Sequence, residues 1–272
     1  MKKILLSIIT IFASLIIGFN IWGAATLGTI DIAHSAERDD NANAVVLVMG
    51  ATGSAGDGLL KAAIEDKQVK KVYVVTRRTT PRIDAGVASG KVEMRLHQDF
   101  TDYASLKAEL AEVNTVLWGL GTSSLNVDDE TYTLIHVDFT IAFIKEWLSV
   151  RNTAPMTLHY VTGVGTDPEG DSHWAREKGR LEREMAELAA PTPLRTFSYR
   201  SAWIRPTSEH SNALIYIGEQ LLKPGKLVIT SKALGQAMLE ISARTNELAN
   251  GTLIDNADSI GYAQAYQKSI AQ

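Results

Sequence analysis

The stretch Gly50-Ala51-Thr52-Gly53-Ser54-Ala55-Gly56 carries the clearest chemistry in this sequence. Its glycines let a backbone turn pass close to a bound group, where a Cβ would block the approach or forbid the angles. The apolar run Val45–Met49 precedes it and the helical pattern Leu59–Ile64 follows. A strand, a glycine turn and a helix N-terminus together form a cradle for a pyrophosphate. Backbone N–H groups point at the anion and the helix dipole favours negative charge. Gly50, Thr52, Gly53, Ser54, Ala55 and Gly56 are therefore the expected phosphate-binding residues. About twenty residues further on, the end of the second strand reads the ribose of such a nucleotide, through an acid for NAD or an arginine for the 2′-phosphate of NADP. Here that strand ends Val75-Thr76-Arg77-Arg78. Arginine is always charged, and its planar fork matches a phosphate. Arg77 and Arg78 predict NADP (NADPH), with NAD as the second choice.

Asp99 follows the third strand in Gln98-Asp99-Phe100 and could accept from an adenine amino group; helix capping there suits Thr101 or Asp102 better. Leu120-Gly121-Thr122 ends the fourth strand, and its glycine lets the chain pass under a ribose. Asp57 is an oddity: an acid suits a helix start, yet it lies beside the expected phosphates.

These residues need a sheet to align them. Strand patterns cover Val45–Met49, Lys71–Thr76, Lys91–Leu96, Thr115–Trp118, Thr157–Thr162 and Leu194–Tyr199. Helical patterns cover Leu59–Asp66, Ala104–Glu112, Glu130–Val150 and His173–Ala189. Strands alternating with helices predict an α/β fold with a Rossmann-type, doubly wound parallel sheet, its ligands at the strand C-terminal ends. The domain is expected over 44–272, with a small C-terminal helical cap from about 201. Residues 37–43 read as a linker.

The 272 residues carry a net charge of −4 and no basic block, which argues against nucleic acid as a partner. Cysteine is absent, so disulfides and thiolate chemistry are excluded. His34, His97, His136 and His210 lack metal-ligand spacing, and no metal site is expected. Residues 1–36 form a membrane anchor or signal segment: Lys2-Lys3 precede an uncharged stretch from Ile4 to Ile30, long enough to span a bilayer as one N-terminal transmembrane helix. A cleaved signal peptide is the rival reading, with small-residue sites at Gly23-Ala24-Ala25 and Ala33-His34-Ser35. The leading lysines favour an exported domain, whereas nicotinamide cofactor supply favours the cytoplasm. The domain carries its cofactor out, or the topology is inverted, or the site no longer turns over. The sequence leaves the side of the membrane open.

Taken in order, Gly50–Gly56, Thr76-Arg77-Arg78, Asp99-Phe100, Leu120-Gly121-Thr122, Val137-Asp138, Lys178-Gly179, Arg200 and Gly235-Gln236-Ala237-Met238 resemble the atypical branch of the short-chain dehydrogenase/reductase superfamily, closest to its Tat-interacting-protein-like oxidoreductases. The resemblance spans roughly Ala44 to Ile260. It implies hydride transfer between NADP(H) and a small-molecule carbonyl substrate. It assigns the cofactor to the turn residues above with Arg77, Arg78, Asp99, Phe100, Leu120, Gly121, Thr122 and Lys178. It also implies catalytic roles for Lys178, which holds the ribose, and Thr162, which orients the carbonyl. The family's proton-donating tyrosine falls on Trp174, one helical turn before Lys178. An indole cannot shuttle a proton near neutral pH. The alternative is therefore an inactive nucleotide-binding sensor or assembly factor for a membrane protein partner. His159 and Tyr160 lie within the fifth strand and read mainly as packing, and His173 faces away from Trp174. Glu177, Glu182, Arg183, Glu184 and Glu187 read as a solvated helix face. Trp203 and Tyr216 either line a substrate pocket or pack cap to core.

Overall fold

The computed structural model describes residues 2–271. Its centre is a seven-stranded sheet of β1 (Val45–Met49), β2 (Lys71–Thr76), β3 (Val92–Leu96), β4 (Thr115–Trp118), β5 (Met156–Val161), β6 (Leu194–Arg200) and β9 (Leu253–Asp255). The order is β3-β2-β1-β4-β5-β6-β9 and every pairing is parallel. Chain direction across the sheet reverses between β1 and β4. Ligands of such folds bind outside the strand ends at that switch.

The central strands β1, β2 and β4 read as largely apolar runs because both faces are covered. Val46 and Val48 of β1 enter one core with α2 (Gly56–Glu65), α9 (Ser231–Ala243) and α10 (Asn256–Ser269). Leu47 and Met49 enter the opposite core with α4 (Lys107–Glu112), α6 (Phe139–Val150) and α7 (His173–Ala189).

Three elements differ from the sequence expectation. α3 (Pro81–Ala88) was not foreseen: Pro81 starts it, and the Thr80 side chain accepts from the Ile83 N–H. The helix expected over Glu130–Val150 is α5 (Asp129–Thr133), a π-helical turn at Leu134–Asp138, and α6. The C-terminal part is also not purely helical. β7 (Trp203–Arg205) pairs with β8 (Val228–Thr230), β9 extends the main sheet, and α9 is buried against α2. α8 (Ala213–Leu222) has no buried residue among its described positions.

The first helix, α1 (Lys2–Thr26), is 25 residues long with a mean hydropathy of 2.5 in its most apolar window. That suffices by length and composition to cross a bilayer, as a signal sequence also would. Its distal half docks on the body. Asn20 Nδ2 donates to the Leu221 carbonyl at 2.8 Å, and Asn20 Oδ1 accepts from the Gly225 N–H at 2.6 Å. The segment that follows is pinned along α9 and α10: the Gly28 N–H donates to Asp255, Ile30 to Asp258 and Ala33 to Glu247.

Arg38 extends that attachment. Its guanidinium meets Glu240 at 2.6 Å, and Arg244 meets the same carboxylate at 2.8 Å. Glu240 is fully buried. Removing one partner from such a cluster leaves uncompensated buried charge, typically at a cost of about 3–5 kcal/mol. Glu240→Ala is expected to lose about that much in chemical denaturation, whereas a loss below ~1 kcal/mol would mean water already screens the cluster.

Candidate nucleotide and active site

The C-terminal ends of β1, β2 and β4 enclose a cleft of about 420 Å³, lined by Gly50, Thr52, Val75, Thr76, Arg77, Arg78, Phe100 and Leu120. Residues from four separate stretches of sequence therefore meet in one cavity. The turn geometry accounts for its glycines. Gly50 has φ +73°, and a Cβ there would lie 2.5 Å from the Leu120 nitrogen. A Cβ on Gly56 would lie 2.0 Å from the Gly50 carbonyl, so helix α2 packs directly on the turn. Gly53 is different: its Cβ would meet only the Gly50 oxygen, at 3.3 Å, and otherwise points to open space. No side chain caps the N-terminus of α2. An uncapped helix start beside an open glycine face fits a pyrophosphate. Ser54 and Ala55 complete the turn, Ser54 exposed and Ala55 half-buried.

Arg77 and Arg78 are exposed and form no ion pair among the described residues. Thr76 shapes their turn, its hydroxyl donating to the Arg78 carbonyl at 2.8 Å. Phe100 is buried at the base of the cleft, stacked on Phe139 at 5.6 Å. Asp99 is exposed and closes its own turn, accepting from the Thr101 N–H at 2.9 Å and the Thr101 hydroxyl at 2.5 Å. Hydrogen bonding to Thr101 lowers its pKa. Asp57 proves not to face the cleft. Its carboxylate pairs with Arg82 at 2.7 Å and accepts from the Thr207 hydroxyl at 2.6 Å, which neutralises it away from the turn.

Gly121 and Thr122 stand over His136 in the π-helical turn. A Cβ on Gly121 would lie 2.6 Å from the imidazole. Tyr160 donates to the His136 carbonyl at 3.1 Å, and its oxygen lies 3.0 Å from His136 Nδ1. His136 Nε2 lies 3.1 Å from the Thr122 nitrogen and 2.9 Å from the Thr122 carbonyl oxygen. Burial, reinforced by the Lys178 charge, lowers the His136 pKa to about 4, so the ring is neutral at pH 7. A helix locally widened to a π turn often marks a functional site.

At the end of β5, Lys178 Nζ donates to the Thr162 carbonyl at 2.6 Å. Burial lowers its pKa to about 8, opposed by the Glu182 charge. Thr162 Oγ1 is buried with no hydrogen-bond partner. Ser201 Oγ, just beyond β6, is likewise buried and unpaired. The two segments are laced together, with the Thr162 N–H donating to the Tyr199 carbonyl and Val164 to Ser201. Other buried hydroxyls, those of Thr157 and Ser231 among them, also lack partners, but Thr162 and Ser201 lie together at one sheet edge. Ser201 escaped the sequence reading; its place just past β6, at the same sheet edge as Thr162, was the available signal. Trp174 is half-buried one turn before Lys178, and a Cβ on Gly165 would touch its ring at 3.4 Å.

The remaining candidates are structural. His159 is fully buried between Tyr199 and Ser242, each at 2.7 Å, and burial holds its pKa well below the usual value. Tyr160 faces the opposite core with His136. His173 meets Thr133 and the Asp129 carbonyl at the start of α7. Glu182 corrects the expectation of a solvated face: it is buried and pairs with Arg200 at 2.7 Å. Among the described residues, no group of His, Asp or Glu is arranged to hold a metal.

No family model matches the chain. It is 26% identical over 144 residues to the mitochondrial protein FMP52 of Saccharomyces cerevisiae, which covers 52% of this chain and 59% of that protein. The chain thus spans less than two thirds of the curated relatives it matches. Among solved structures, the Pseudomonas aeruginosa RhlG/NADP active-site complex superposes with a TM-score of 0.59 at 13% identity, over 79% of this chain and 95% of that one. The 3-oxoacyl-[acyl-carrier protein] reductase of Brucella melitensis in complex with NAD gives 0.57 at 17% identity, over 83% and 98%. A short-chain dehydrogenase/reductase family oxidoreductase from Burkholderia thailandensis gives 0.60 at 17% identity, over 84% and 97%. The chain has the Rossmann-type fold of the short-chain dehydrogenases and reductases.

Proposed function

We propose that this chain is a membrane-tethered, NADP(H)-binding member of the atypical short-chain dehydrogenase/reductase superfamily, related to its Tat-interacting-protein-like oxidoreductases. One observation carries the reading: the glycine turn, both arginines and Phe100 line one cleft at the sheet's switch point. Gly50–Gly56 would hold the pyrophosphate, Arg77 and Arg78 the 2′-phosphate, and Lys178 the nicotinamide ribose. Asp99 and the Leu120-Gly121-Thr122 turn would border the adenine and ribose. The bound cofactor would supply a hydride. Thr162 would orient a substrate carbonyl, and the Lys178 ammonium would stabilise charge developing on its oxygen. The α1 helix (Lys2–Thr26) would serve as the single-pass anchor, shorter than the 4–30 span read from the sequence because Gly28 and Ile30 are bonded to the body.

A second reading is favoured by Trp174. With the family's proton donor replaced, the protein would bind nucleotide and report its state to a membrane partner without turnover.

Charge-assisted hydrogen bonds contribute about 1.5–3 kcal/mol each, so NADPH is expected to bind roughly tenfold to a hundredfold more tightly than NADH. Arg77→Ala with Arg78→Ala is expected to erase that preference in a competition titration. A preference unchanged in the double variant would overturn the assignment.

A further inference from the structure

A second cavity, of about 800 Å³, lies between α1 and the segments that follow β5 and β6. Leu15, Phe19 and Trp22 of α1 form one wall; Val164, Trp203 and Leu222 form another. No charged side chain lines it among the described residues. A phosphorylated or carboxylated substrate would find no partner there, whereas an apolar one would meet apolar side chains from both walls of this open groove. The cavity adjoins the chemical end of the site. Gly165 and Ala202 also line it; a Cβ on Gly165 would touch Trp174, and Ala202 follows Ser201.

The cavity is walled by the bilayer-length helix itself, and the neighbouring surface is apolar too. On α8, Leu214, Ile217 and Leu221 are all exposed at i, i+3 and i+7, and α8 packs against α1. A stripe of that kind suits a helix lying in a membrane interface. With α1 in a bilayer, the mouth of the cavity would face lipid rather than water.

The third consideration is Trp174, which stands where the family resemblance places a proton-donating tyrosine. An aliphatic carbonyl that receives hydride becomes an alkoxide, a strong base that needs a proton at once. A quinone that receives hydride becomes a phenolate-type anion, whose conjugate acid has a pKa near that of tyrosine, about 10. Trp174 is an obstacle to the first reaction and not to the second.

We propose that this cavity binds a membrane-dissolved quinone with an apolar tail, and that the quinone is the hydride acceptor; the proposal rests on the NADP(H) reading above. Bound NADPH would supply the hydride, and with it the two electrons, and the quinone would become the hydroquinone monoanion. A proton from water, relayed by the Lys178 ammonium, completes the neutral hydroquinone. The buried, unpaired hydroxyls of Thr162 and Ser201 lie two residues before Val164 and one before Ala202, which line the cavity.

The test uses the full chain in lipid nanodiscs, with a decyl-tailed benzoquinone as probe. Trp22 and Trp203 line the cavity, so quinone binding is expected to quench tryptophan fluorescence saturably. Gly18 also lines it, and a Cβ there would meet nothing within 4 Å, so Gly18→Phe fills the space without disturbing the fold. In that variant quinone affinity and quinone-dependent NADPH oxidation are expected to fall roughly tenfold or more, with NADPH affinity unchanged. Decanal is expected to be a far poorer substrate than the quinone. Equal quenching in wild type and Gly18→Phe would overturn the assignment of the cavity. Faster turnover of decanal would overturn the quinone class. Intact NADPH binding without quinone binding would overturn this proposal alone, and loss of NADPH binding in wild type would overturn the reading beneath it.

Discussion

Gly53→Val abolishes NADPH binding and leaves the domain folded: that is the largest effect expected from a single substitution in this protein. The glycine turn separates its residues by function. Gly50 has a left-handed φ and lies against the start of the β4 loop, and Gly56 packs on the Gly50 carbonyl. Side chains at those two positions would displace the backbone itself. Gly53 has no such constraint, since its Cβ would meet one oxygen at 3.3 Å and then open space. That space is where the pyrophosphate is expected, so valine replaces ligand rather than protein. An affinity loss above about a hundredfold is expected, or roughly 2.7 kcal/mol. Circular dichroism and the unfolding midpoint should stay near wild type. Gly56→Val serves as the contrast, because its clash should lower stability as well as binding. Normal NADPH affinity in Gly53→Val would remove the turn as the phosphate site.

The second large effect concerns Trp174 and Lys178. General acid–base catalysis contributes typically 10²–10⁴-fold. A tyrosine at 174 would stand one helical turn before Lys178, near enough for the ammonium to lower its pKa. Trp174→Tyr is therefore expected to raise turnover of water-soluble aldehydes by about tenfold or more within that range. Lys178 sets the pH dependence. Its folded pKa is lowered to about 8, so the ammonium is mostly present at pH 7 and is lost as pH rises through about 8. Activity should fall above that point, and the alkaline limb should vanish with the activity in Lys178→Met. Robust turnover in Lys178→Met would relocate the chemistry.

The parts legible in the sequence were those whose signals are local. β1, β2 and β4 are buried on both faces, so each reads as an unbroken apolar run. The glycine turn announces itself by spacing, and the cleft does gather Gly50, Thr52, Arg77, Arg78, Phe100 and Leu120. What was not legible depends on contacts between distant segments. β9 has three residues and is a strand only because β6 offers it an edge. Asp57 looked misplaced because its partners, Arg82 and Thr207, lie 25 and 150 positions away. Glu182 sits among charged neighbours and so resembled solvated surface, yet it is buried and paired with the half-buried Arg200. Ser201 follows a strand without any motif, and its unpaired hydroxyl appears only once β5 and β6 are side by side.

The central claim is that the cleft between the glycine turn and the paired arginines binds NADP(H). Calorimetric titration of the full chain in nanodiscs with NADPH, and then with NADH, tests it most directly. One saturable NADPH site per chain is expected, with NADH at least about tenfold weaker. No heat of binding with either nucleotide, from protein shown to be folded, would contradict the account.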